Sequence, residues 1–150
     1  MGSDGRASGS YWLVIESIHS NPKLSGGVVP IQTELLPGDH LAIDVRGQNR
    51  SSQNYVYIAP RPLVCGVWHD VVREFDIDPG GGFLHEWLDG AEIVNFTGKL
   101  GNPNDTPYVA IEIYRADYYG VANTYAERIA NFKLGTSSLA GRIGNPPMHR

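Results

Sequence analysis

Two residues able to move protons stand near the ends of strand-like segments: His19, closing segment 11–19 (YWLVIESIH), and Tyr114, near the end of segment 107–115 (PYVAIEIYR). The second segment alternates at a period of two, with Val109, Ile111 and Ile113 on one face and Tyr108, Ala110, Glu112 and Tyr114 on the other. A β-branched aliphatic face belongs over a core, so the face carrying two phenols and a carboxylate looks into solvent or a cleft. A cleft is the expectation, with Tyr114 working opposite His19. A phenol with a pKa near ~10 needs positive charge nearby before it can serve as a base. Arg115 is adjacent but falls on the other face, which leaves Arg46 and Lys133 as the candidate cations.

The elements that must position these side chains are short strands. Segment 11–19 alternates with both faces largely apolar and is predicted to be a central strand. After Asn21-Pro22 and Ser25-Gly26-Gly27, a short strand is expected within 28–35, then a turn at Pro37-Gly38-Asp39. Leu41, Ile43 and Val45 alternate with Ala42, Asp44 and Arg46, predicting a half-buried strand. A polar loop over 47–53 precedes a strand over 55–59, which Pro60-Arg61-Pro62 ends. Residues 68–77, 83–88 and 91–96 predict a three-strand meander, because Asp89-Gly90 between alternating runs suits a turn that needs positive φ twice. Segment 98–107 is a loop, 118–120 another, and a last strand is expected near 125–134. Several short strands and no helix signal of ordinary length predict an all-β sandwich or jelly roll.

The chain has 150 residues, long enough for one domain with its own core, and its 18 Gly, 10 Pro and 41% apolar content suit a turn-rich β protein. The expected organisation is a flexible leader over 1–10, one domain over 11–136 and a loosely held tail over 137–150. A net charge of -4 without any Lys/Arg run argues against nucleic acid or an acidic membrane surface as partner. No apolar run is long enough to span a bilayer, and Met1 to Ser10 lacks the apolar centre of a signal peptide. The single Cys65 is expected to be a small, partly buried hydrophobe.

Placed side by side, Tyr11-Trp12-Leu13-Val14-Ile15 with Ile18-His19, Gly66-Val67-Trp68-His69-Asp70 with Trp87-Leu88-Asp89-Gly90, and Tyr108 to Arg115 resemble the β-jelly-roll polysaccharide lyases. That group contains glucuronan lyases, heparin lyase I and, more distantly, the alginate lyases. The resemblance covers about 11–136 and begins near the middle of the usual domain, so a partial jelly roll is expected. It implies a concanavalin-like sandwich of two antiparallel sheets and β-elimination on a uronate-containing polysaccharide, with His19 and Tyr114 as the catalytic pair. Such a reaction needs the uronate carboxylate neutralised, a proton removed beside it and the leaving oxygen protonated. Ser17, Arg46, Tyr108, Glu112 and Lys133 are the residues expected to hold the substrate. Ser17 occupies the place of the family's Gln, and Glu112 adds a carboxylate to the cleft face. The alternative is therefore a non-catalytic glycan-binding or structural sandwich. The resemblance also implies a secreted or extracellular protein, and a partial sandwich could complete itself as a homodimer.

No cofactor and no metal site are expected. His69 and His85 have no second ligand at a diagnostic spacing and are read as structural. Asp76, Asp78 and the glycines after them lack a calcium-loop pattern and are read as a solvated turn, with calcium left open.

Overall fold

The computed structural model describes residues 13–21, 29–47, 54–104, 106–115 and 126–137, and only the backbone of Arg115. The expected leader, Tyr11, Trp12, most of the 47–53 loop, the 118–120 loop, Tyr125 and nearly all of the tail lie outside them. The regular structure is all β: β1 (Leu13–His19), β2 (Ile31–Leu36), β3 (His40–Val45), β4 (Tyr55–Ile58), β5 (Val71–Asp76), β6 (Gly82–Leu88), β7 (Ala91–Gly98) and β8 (Tyr108–Arg115). They form two antiparallel sheets, one ordered β4-β3-β2-β1-β8 and the other β5-β6-β7, packed as a β sandwich.

Local sequence accounts for much of this. Strand β1 carries apolar residues on both faces and lies inside the larger sheet, between β2 and β8. The β2–β3 hairpin turns through Gly38 and Asp39, both at positive φ (83° and 61°). The β6–β7 hairpin turns through Asp89 and Gly90 (φ 50° and 80°), so Leu88 faces Ala91, and the pairing resumes past a register shift between Glu86 and Trp87.

Ile18, Ile31, Ile43 and Val45 of the larger sheet meet Leu84 and Val94 of the smaller one, with Leu100 from the β7–β8 connection, and Phe75, Phe96 and Val109 pack against them. The connection also ties the sheets together by backbone. Leu100 N–H donates to the Asp78 carbonyl (3.0 Å), Gly101 N–H to the Arg46 carbonyl (3.1 Å), and Arg46 N–H to the Pro30 carbonyl (2.8 Å).

Four expectations change. Cys65 is exposed, not partly buried, in the connection before β5. Strand β3 is not half-buried: Leu41, Ala42, Ile43, Asp44 and Val45 are all buried, because β3 lies inside its sheet with both faces covered. The expected strand near 125–134 does not form. Its residues from 126 carry no sheet pairing and instead run along the gap between the sheets, where Ile129, Phe132 and Leu134 stay largely exposed. Aromatic and β-branched content favours a strand only where a partner edge stands in register. On β8, Val109 alone of the aliphatic row packs against the core, while Ile111 and Ile113 are exposed. The β1–β8 pairing shifts register between Val14 and Glu16, and β8 is an edge strand.

Candidate functional site

The β1–β8 ladder sets where the chemically able residues stand. Its register pairs His19 with Tyr108, Ser17 with Ala110 and Val14 with Tyr114. The rings of His19 and Tyr108 stack at 5.6 Å between centroids and 14° between planes. Ser17 Oγ donates to Glu112 Oε1 at 2.5 Å, and the same oxygen lies 3.8 Å from His19 Nε2. One end of the β1–β8 ladder therefore gathers an imidazole, a phenol, a carboxylate and a hydroxyl.

Tyr114 is not in that group. Its register partner is five residues along β1 from His19, roughly 16 Å at strand rise, so the phenol beside His19 is Tyr108. Both phenols are about half exposed. Arg46 is not placed to supply charge to a tyrosine base, because its Nε bonds Asp44 Oδ2 at 2.5 Å and its Nη2 lies 3.9 Å from Glu34 Oε1. Lys133 lies in the exposed 126–137 stretch and lines a cavity between the sheets together with Glu16, Ile18 and Ile111. Of the expected site residues, the fold thus unites His19, Ser17, Tyr108 and Glu112, and separates Tyr114 and Arg46 from them.

The middle of this sheet face is not an open cleft. Ser17, Gln32, Glu34, Ala42 and Asp44, which share the face by register, are all buried. Tyr55 Oη donates to Glu34 Oε2 at 2.8 Å, and Asn54 N–H donates to Asp44 Oδ1 at 2.6 Å. Buried carboxylates persist when cations and donors surround them, and Arg46, Tyr55 and the Asn54 amide do so here. The accessible part of the face is its margin, at His19, Tyr108 and Tyr114.

A second polar cluster lies between the sheets. Arg73 of β5 is nearly wholly buried; its Nε and Nη2 reach Glu86 Oε2 at 2.8 and 2.7 Å, its Nη2 donates to Thr33 Oγ1 at 2.6 Å, and its Nη1 stands 3.0 Å from Glu16 Oε1. Burial disfavours the charged guanidinium, yet the charges of Glu86 and Glu16 outweigh it and raise the Arg73 pKa. Burial pushes the Glu86 carboxyl up, against the opposing pull of Arg73. Glu127 is also raised, to about 6, by burial first and then by the charge of Glu16.

One member of this cluster was readable in the sequence. Glu86 keeps period-two step with Leu84 inside β6, which marks an inward carboxylate. The reach of Arg73 across to Glu16 and Thr33 joins residues far apart in the chain, and no spacing signals it.

His69 lines the same inter-sheet cavity, but its ring bonds neither cluster. One ring nitrogen meets Asp89 Oδ2 at 2.7 Å and the other the Val64 carbonyl at 3.0 Å, clasping the 64–70 stretch to the β6–β7 turn. In the turn after β5, Asp78 Oδ1 accepts from Gly80 N–H at 2.7 Å, a turn-closing use of that carboxylate. Among the described residues, no group of three or more His, Cys, Asp or Glu side chains is placed to hold a metal ion.

In comparisons with known proteins, the chain matches no family model, no curated protein and no solved structure.

Proposed function

We propose that this chain is a non-catalytic glycan-binding β sandwich that reads sugars at the His19–Tyr108 end of the β1–β8 ladder. The observation that carries this reading is the stacked, part-exposed His19–Tyr108 pair beside the Ser17–Glu112 hydrogen bond. An exposed phenol ring offers an apolar face to the C–H side of a sugar, while its hydroxyl and the neighbouring carboxylate take up sugar hydroxyls. Glu112 gives this margin negative charge, which favours a neutral glycan over a polyuronate.

The second reading is a polysaccharide lyase acting on an acidic glycan by β-elimination. What favours it is an imidazole and a phenol at one point, His19 and Tyr108, with Tyr114 too distant to share the same proton transfer. Against it stands Glu112, whose carboxylate lies 3.8 Å from His19 and would repel a uronate.

One experiment separates the two. The chain is screened on a glycan array and, in parallel, incubated with uronate polymers while the ultraviolet absorbance of unsaturated products is followed. Binding of neutral glycans without product, weakened roughly tenfold or more by Tyr108→Ala, supports the binding module. Product formation that His19→Ala abolishes overturns it in favour of the lyase.

A further inference from the structure

The wedge between the β1/β8 side of the larger sheet and β5 of the smaller one holds a cavity of about 280 Å³, crossed by the 126–134 stretch. Its walls are largely apolar, with Phe75, Val109, Ile111 and Phe132 prominent among them. Its polar groups are unevenly committed. Arg73 spends its Nε and Nη2 on Glu86 and Thr33, but its buried Nη1, though 3.0 Å from Glu16 Oε1, makes no aligned hydrogen bond. Glu16 Oε1 faces Arg73, while no hydrogen bond occupies its other oxygen among the described residues. Glu127 lines the same cavity, near enough to Glu16 for the two charges to repel.

We infer that this inter-sheet cavity binds a small amino alcohol with an apolar body. Its ammonium sits between the Glu16 and Glu127 carboxylates, its hydroxyl oxygen accepts from Arg73 Nη1, and its hydrocarbon part lies on Phe75, Ile111 and Phe132. The chemistry follows from what the cavity leaves unspent: two neighbouring carboxylates ask for one cation, a shielded guanidinium N–H asks for a lone pair, and apolar walls ask for hydrocarbon. A carboxylate ligand is disfavoured, because Glu16 and Glu127 would both face it, while Glu86 already holds Arg73 on two nitrogens. The other charged groups lining the cavity are Arg128 and Lys133, on the exposed stretch, and His69, held by Asp89 and the Val64 carbonyl.

The test is calorimetric titration of the full chain with phenylalaninol, against 3-phenylpropanol, which lacks the amine, 2-phenylethylamine, which lacks the hydroxyl, and 3-phenylpropanoate. Saturable phenylalaninol binding is expected, weakened about tenfold or more by loss of the amine and severalfold by loss of the hydroxyl, with no binding of the carboxylate. Glu16→Gln and Glu127→Gln should each weaken it about tenfold, and the place of Glu127 outside both sheets makes its variant a safe folding control. Affinity should fall as pH drops through about 6, where Glu127 takes up a proton, and Glu127→Gln should flatten that fall while leaving any contribution of His69 in place. No saturable phenylalaninol binding, equal binding of 3-phenylpropanol, or indifference to both substitutions would overturn the assignment.

Discussion

Single side chains carry opposite kinds of weight in the two polar clusters. Arg73 is the only cation that reaches Glu86 and Glu16 among the described residues, so truncating it leaves a buried carboxylate without compensation. Arg73→Ala is expected to destabilise the fold by about 3–5 kcal/mol in chemical denaturation, whereas the pair replacement Arg73→Met with Glu86→Leu should recover much of that loss. His69 works at the surface and through its charge. Burial alone would lower its pKa, but the hydrogen bonds to Asp89 and the Val64 carbonyl, with the Asp89 charge, outweigh burial and raise it above 6.5. A raised folded pKa means that its stabilisation is complete below about pH 6.5 and fades as pH climbs through the higher folded value. Thermal melts should show that decline in the native chain, and His69→Asn should remove it.

Strands and turns decide which of these side chains can meet. The β8 sequence announces its alternation, but the pairing of His19 with Tyr108 leaves Tyr114 opposite Val14, far along the ladder, and sets Glu112, two residues on from Ser17's partner Ala110, within reach of Ser17. Alternation fixes which face a residue takes; pairing fixes who stands beside it, and a one-residue shift changes the neighbours. Two glycines test the turn geometry. A Cβ on Gly82 would sit 2.1 Å from the Asp76 carbonyl oxygen, a backbone atom that cannot move without breaking the β5–β6 pairing. Gly82→Ala should therefore lower the melting temperature sharply, with a cost of about 2 kcal/mol or more. Gly90, at φ 80° with open space around it, has no such clash. Gly90→Ala should cost only about 1 kcal/mol, from backbone strain.

At the scale of the whole molecule, the two sheets share one core, and Leu84 is buried at its centre against the larger sheet's Ile18, Ile31 and Ile43. Leu84→Ala should cost about 2–5 kcal/mol and lower a single melting transition seen equally by backbone and tryptophan signals; two separate transitions would show that the sheets fold independently. The all-β class, the meander, both hairpin turns and the central place of β1 were legible in the sequence, because each rests on local periodicity or on glycine and aspartate at positive φ. The inward carboxylate Glu86 could have been read from its step with Leu84. The residues of the candidate site were named in the sequence, but their grouping was not. Which phenol joins His19, the capture of Arg46 by Asp44, the burial of the sheet face around Glu34, and the meeting of Arg73 with Glu16 all depend on strand order, register and sheet packing. Those are contacts between residues distant in the chain, whose free energy is won only once the strands have paired, so tertiary structure alone decided them.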